Sequence, residues 1–328
     1  MAAHIDIDTA RQKTREIINR VKGGQRVEGP ESFESVAKDW LKRHVDAKGL
    51  ISTKIIRSYL DRFILPAWGG RVLTSLGRGD VTKLLDSVED SAGAVTADRV
   101  LGAASSIMNW YAARNDNYST PLVRGMHRSS SKPRARILSD DEIRLIWSKA
   151  EGTIGDVVKL LLLTAQRRDK VITMKWGDVT VDGTWHVQNG NQREKGTGGE
   201  LVLPPMALDI VRNRPRLASN EYVFPGPGTL HWKSHARGKQ ALDQATGPLP
   251  QWQLHDLRRT ARSLMSRIGI RSEVAENLLG HVQPGVVGVY NQYQYVEEKA
   301  KALRQLAGLI ESILRNDDAD KKVRMLRG

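Results

Sequence analysis

Residues 254–263 read LHDLRRTARS, and residues 278–295 read LLGHVQPGVVGVYNQYQY. In the first stretch His255 and Arg258 stand three apart, the spacing that puts two side chains on one face of a helix. The second supplies His281 and then Tyr290, with Tyr293 and Tyr295 close behind. Two earlier segments belong with these. TAQRRDKVITMKW, from 164 to 176, brings Arg167 out at the end of the apolar run LLLLT, where an arginine is expensive unless it is paired or meets an anion. EKGTGGE, from 194 to 200, is a turn between two strands that lifts Lys195 on a flexible stem, as a proton donor or a phosphate contact requires.

Outward from these segments the pattern is mostly helical. Residues 5–22 predict one amphipathic helix that closes at Gly23-Gly24. From Ser32 to about Asn115 the periodicity predicts a bundle of about four helices. SFESVAKDWLKRHV places Phe33, Val36, Trp40 and Leu41 on one face, and TKIIRSYLDRFILPAWG is expected to stop at Pro66 and Gly69. HRSSSKPRARILSDDE changes character and reads as an exposed linker, with a boundary near residue 135. Ser139 and Glu142 form a capping box that opens the second domain, and a helix over 156–170 follows. TWHVQ and ELVLP then predict a small antiparallel sheet, and helices resume from about 239. The stretch 295–315 is amphipathic, with Leu303, Leu306, Ile310, Ile313 and Leu314 in a stripe.

Composition limits the function. The 328 residues carry 51 Lys plus Arg against 37 Asp plus Glu, a formal charge of +14, which is the electrostatic footprint of a polyanion-binding protein. The absence of cysteine removes disulfides, thiolate zinc sites and cysteine nucleophiles. The first residues lack an apolar signal core, and the apolar stretch near Val157–Leu163 is too short to span a bilayer, so a cytoplasmic protein with no membrane partner is expected. His231 and His235 stand four apart but lack a third ligand or an adjacent Glu, so no metal is expected there. Seen singly, Arg167 is an ordinary ion-paired arginine, Lys195 a solvated turn lysine, and the tyrosines the edge of a core.

Together, however, Arg167, Lys195, His255, Arg258, His281 and Tyr290 occur in the order Arg, Lys, His-x-x-Arg, His, Tyr. This set resembles the tyrosine recombinase family, including phage and genomic-island integrases; HDLRRT and LLGH are close to its usual wording. The nine residues from His281 to Tyr290 match the family's spacing and select Tyr290 over Tyr293 and Tyr295. One departure concerns the first arginine, where the family often has T-G-L-R-x-x-E. Here Thr164-Ala165-Gln166-Arg167-Arg168-Asp169-Lys170 puts Lys170 in place of the acid, with Asp169 beside it, and leaves open whether Arg168 shares the task.

The resemblance implies a mainly α fold with a small antiparallel β-sheet. It implies a helix from an arm-binding region at 1–27, a helical core-binding domain at 28–128, a linker at 129–137, a catalytic domain at 138–315 and a tail at 316–328. It further implies a site-specific recombinase that joins DNA through a 3′-phosphotyrosyl intermediate, with Tyr290 as nucleophile. In that scheme Arg167 and Arg258 clamp the phosphate, Lys195 protonates the leaving oxygen, His255 assists proton transfer and His281 bonds the phosphate. No cofactor is implied. The implied partners are double-stranded DNA at attachment sites, further copies forming a homotetramer in which the 295–315 helix docks on a neighbouring protomer, and a DNA-bending accessory protein. The rival readings are a type IB topoisomerase-like enzyme and a catalytically inactive DNA-binding regulator of the same fold.

Overall fold

The structure, a computed structural model, describes residues 32–47, 52–130, 135–188, 199–281 and 293–315. The expected helix over 5–22, the tail 316–328, Lys195 and Tyr290 lie outside these residues. The chain divides into two compact units, Met1–Pro133 and Arg134–Gly328.

The first unit is helical. α1 (Phe33–Trp40) opens at Ser32, whose hydroxyl accepts the Ser35 N–H at 3.2 Å, and buries Phe33, Val36, Ala37 and Trp40. Turns of wider, π spacing extend it over Leu41–Asp46. α2 (Thr53–Tyr59) does not stop at Pro66. It continues through a π-spaced segment, Leu60–Ile64, into α3 (Leu65–Trp68) and ends at Gly69, the second of the two expected stops. In the widened turn Leu65 N–H reaches the Leu60 carbonyl, which relieves the clash a proline ring makes with the preceding turn. α4 (Arg78–Ala92) and α5 (Ala94–Ala112) are separated by Gly93 alone. Phe33 packs edge-on against Trp68 with ring centroids 5.4 Å apart, in a core completed by Ile64, Val100, Ile107 and Met108. Past α5, the backbone N–H groups of Arg128 and Ser129 donate to Asp98 of α5 at 2.6 and 3.1 Å, tying the end of the unit to that helix.

The second unit begins where Leu138 N–H donates to Thr260 Oγ1 at 2.9 Å. α6 (Asp140–Lys149) has the expected capping box, with Ser139 N–H to Glu142 at 2.9 Å and Glu142 N–H to Ser139 Oγ at 3.3 Å. α7 (Gly152–Thr164) is the central helix, buried from Leu160 through Thr164. α8 (Arg168–Ile172) is short. β1 (Thr184–Val187) pairs antiparallel with β2 (Gly199–Val202), Trp185 opposite Leu201. α9 (Pro205–Arg212) and α10 (His235–Thr246) follow, then α11 (Leu254–Arg267), α12 (Ser272–Leu279) and α13 (Val296–Arg315).

α13 corrects one expectation. Its apolar stripe is spent inside its own unit: Leu303, Leu306 and Ile310 are fully buried and Ile313 nearly so, in the same core as α7 and α11. Burial of such side chains contributes about 1.5–3 kcal/mol each, so the helix is a structural member of this unit and leaves no stripe to offer a neighbouring protomer.

Candidate active site

Two helix ends build the site. α7 stops because Ala165 takes the left-handed conformation (φ 56°, ψ 18°), and its N–H closes a 5→1 bond to the Leu161 carbonyl at 3.0 Å. The helix expected over 156–170 is therefore two helices, α7 and α8. Between them lie buried Gln166 and half-buried Arg167, the latter extended at φ −67°, ψ 142°. An alanine held in this region costs about 1–2 kcal/mol, so packing must enforce it.

α12 stops at Gly280, also left-handed (φ 67°, ψ 39°). The His281 N–H reaches back to the Glu276 carbonyl and the Gly280 N–H to that of Asn277, both at 3.0 Å, the paired 6→1 and 5→2 bonds of a Schellman cap. A helix end leaves four carbonyls without intrahelical donors. Here all four are accounted for, since Gln166 Nε2 donates to the Leu278 carbonyl at 2.7 Å and Arg258 Nη2 to that of Leu279 at 2.7 Å.

Arg258 joins the two ends. It stands on α11, whose start is capped by Asp256 accepting the Gln253 N–H at 2.8 Å. Asp256 is fully buried and also holds Arg259 at 2.6 Å. Arg258, 4% exposed, donates from Nη1 to the Ala165 carbonyl at 2.8 Å, from Nη2 to Leu279, and meets His281 Nε2 at 2.9 Å. None of these partners is a carboxylate. Burial first, and then the neighbouring Arg167 cation, push its pKa down to about 10, with Glu276 opposing.

The other imidazole, His255, is one helical turn from Arg258 and exposed. Partial removal from water, then Arg259 and Arg258, hold it below its ordinary pKa, with Asp256 opposing. His281 is set differently: its Nδ1 lies 2.5 Å from Glu276 Oε2. Burial works against the charge on Glu276, but Arg262 and His281 together keep its carboxyl below the usual range. A cleft of about 400 Å³ runs across His255, Arg258, Arg259, Arg262, Glu276 and His281, with Ile137 at its edge.

Of the six residues singled out from sequence, four thus come together: Arg167, His255, Arg258 and His281. Lys195 falls between β1 and β2 and Tyr290 between His281 and Tyr293, both outside the described residues. Tyr295 is buried with its hydroxyl on Glu273, and exposed Tyr293 reaches Glu298 at 3.3 Å. Arg168 is engaged elsewhere, with Asp169 at 2.8 Å and His235 at 2.9 Å, and Lys170 donates to the Gln188 carbonyl at 2.7 Å. Asp169 therefore pairs with Arg168, and the acids whose fields reach the site are Asp256, at His255, and Glu276, at Arg258. Sequence reasoning missed Glu276 and Gln166. Glu276 was findable, because it lies five residues before His281 and a glycine stop at 280 folds those two positions together. His231 packs edge-on against Tyr222, away from any metal geometry. Among the described residues no group of His, Asp and Glu is placed to hold a metal ion, and no helix is long and apolar enough to cross a membrane.

An Arg-His-Arg-His constellation, on a unit that is helical apart from one small sheet among the described residues, is the arrangement expected from the resemblance to the tyrosine recombinases. Residues 136–297 match the Phage integrase family and residues 33–122 the Phage integrase central domain. The chain belongs to the phage integrase family, and it is a site-specific recombinase. It is 24% identical over 298 residues to the prophage integrase IntZ of Escherichia coli, across 86% of this chain and 72% of that protein. Its fold is similar to that of a lambda integrase tetramer bound to a Holliday junction (TM-score 0.63, 18% identity, 86% of this chain and 83% of that one). It is also similar to a Tn1549 transposon integrase in complex with transposon right end DNA (TM-score 0.60, 11% identity, 84% and 98%). These likenesses favour neither the topoisomerase nor the inactive-regulator reading.

Proposed function

We propose that the cleft seats a scissile DNA phosphate and that Arg167 and Arg258 are its clamp. The observation that carries this is the charge balance at Arg258: among the described residues its hydrogen-bond partners are carbonyls and an imidazole, Glu276 opposes only the smallest part of its depression, and a second cation, Arg167, is near enough to depress it. An uncompensated buried charge costs several kcal/mol, about 3–5 where one partner of a pair is missing, and a phosphate anion between the two arginines offsets that cost. Planar guanidinium forks also match two non-bridging oxygens at once.

The chemistry follows from the phosphodiester. Tyr290 Oη attacks phosphorus, the bond to the 5′ oxygen breaks, and a 3′-phosphotyrosyl link forms. The tyrosine proton passes towards His255, whose depressed pKa keeps it neutral and able to accept. Lys195 donates the proton that the departing 5′ oxygen takes up. His281 bonds a phosphate oxygen, and attack by a 5′ hydroxyl from a partner strand reverses the sequence. Tyr293 is a poorer nucleophile because Glu298 beside it pushes its pKa up, and Tyr295 is consumed by its contact with Glu273.

The lambda relative is a tetramer on a Holliday junction and the transposon relative holds transposon-end DNA. We extend both by analogy: a homotetramer on double-stranded attachment sites, assisted by a DNA-bending protein and acting in the cytoplasm to integrate or excise a mobile element. The test is a suicide duplex carrying a nick near the attachment site of the host element, with covalent adduct read on a denaturing gel. Adduct from wild type and none from Tyr290→Phe supports the assignment. Adduct retained in Tyr290→Phe moves the nucleophile to another tyrosine, and no adduct from wild type despite tight duplex binding overturns the catalytic reading.

A further inference from the structure

We propose that Glu276 is a positioning residue of the strand-transfer site: the helix cap seats its carboxylate against His281, fixing Nδ1 toward the acid and Nε2 toward Arg258 and the phosphate. This rests on the reading of His281 as a phosphate contact.

The Schellman cap of α12 makes the pairing obligatory. Its 6→1 bond, from His281 N–H to the Glu276 carbonyl, brings positions 276 and 281 face to face, where such caps ordinarily carry an apolar contact. Here the pair is a carboxylate and an imidazole, with Oε2 2.5 Å from Nδ1. The second oxygen, Oε1, accepts from Arg262 Nε at 2.8 Å, and Arg262 is itself held by Ser266 (2.5 Å) and Ser272 (2.9 Å). With both oxygens occupied, the carboxylate cannot turn away. An ionised carboxylate only accepts, so Nδ1 carries the hydrogen and Nε2 is left facing Arg258 Nη2 at 2.9 Å. Without DNA, Nε2 accepts from the guanidinium. With phosphate between the arginines, Nε2 takes a proton from solvent water, the carboxylate behind the ring stabilises the resulting cation, and Nε2–H donates to a non-bridging oxygen. Glu276 touches neither substrate nor reacting atom and acts through His281.

The test uses the full chain, wild type and the variants Glu276→Leu and Glu276→Gln. Leucine restores the ordinary apolar cap contact and keeps the fold while removing the acceptor, and glutamine keeps an oxygen able to accept from Nδ1. Two quantities are read: single-turnover adduct formation on the suicide duplex, and the His281 tautomer from the 15N shifts of its ring. We expect Nδ1-protonated His281 in wild type and in Glu276→Gln, and loss of that form in Glu276→Leu. Adduct formation should fall about 10–100-fold in Glu276→Leu, taking the range known for loss of the acid behind a metal-bound histidine, with duplex affinity unchanged. Glu276→Gln should recover only part of it, because its amide oxygen can accept from Nδ1 but carries no charge to stabilise the cation. A Glu276→Leu protein that cleaves within twofold of wild type, or that keeps the tautomer, overturns the proposal. If wild type itself forms no adduct, the strand-transfer reading fails, and the tautomer alone then decides whether Glu276 orients His281.

Discussion

Arg258→Lys separates what the guanidinium does for the fold from what it does for the phosphate. In the native site one side chain donates to the Ala165 carbonyl at 2.8 Å and, from its other nitrogen, to the Leu279 carbonyl at 2.7 Å. A lysine ammonium is a single nitrogen and cannot bridge both helix ends, so one buried carbonyl loses its donor, at a cost of about 1–3 kcal/mol. In a unit of this size each kcal/mol moves the melting temperature by roughly 2–4 °C, which gives an expected drop of about 2–12 °C. The fork to the phosphate is lost as well. One charge-assisted hydrogen bond contributes about 1.5–3 kcal/mol, so adduct formation should slow by roughly 10–150-fold. Differential scanning calorimetry reads the first effect and single-turnover cleavage of the suicide duplex the second. A variant that melts with wild type would refute the bridging role, and one that cleaves at the wild-type rate would refute the clamp.

Ala165→Gly should change stability by less than about 1 kcal/mol in urea denaturation, because relief of the left-handed alanine is offset by the added chain entropy and by loss of a fully buried methyl, and cleavage should persist since the carbonyl that Arg258 uses stays in place. In the free protein, NMR titration of His255 should give a pKa below the ordinary 6.5, and Arg259→Gln should raise it by removing the nearer cation. The sign follows from the charge: below the folded pKa the imidazole is protonated and cannot accept from tyrosine, so the acid limb of cleavage by free enzyme should move up in pH in the variant.

Much of the helical architecture was legible because it is written in periodic apolar positions. The burial of Phe33, Val36 and Trp40 on one face of α1, and of the α13 stripe, follows directly from i, i+3, i+4 spacing. What spacing could not give was the partner of each face: the α13 stripe, which the resemblance implied would dock on a neighbouring protomer, is buried within its own unit. The break after Thr164 was hidden for a different reason. Alanine is the best helix former, and only the tertiary pull of Gln166 and Arg258 on the 164–165 backbone and on the end of α12 makes it a stop. Pro66 misled in the opposite sense, since a widened turn lets the helix pass through it. In the site, His255 and Arg258 were readable as a helical pair. The support given by Glu276 comes from another place in the chain than the family's pattern suggests, three residues after the first arginine, where Lys170 stands.

The tie that Arg258 makes between two helix ends bears on how related genes are interpreted. A side chain that rivets the fold is retained by selection for folding even after strand transfer has ceased to matter, so a degenerate copy of this gene would keep its arginine at 258 long after losing its chemistry. Surveys that count that arginine as a mark of a working enzyme will therefore overcount. The informative position is one with no duty in the core.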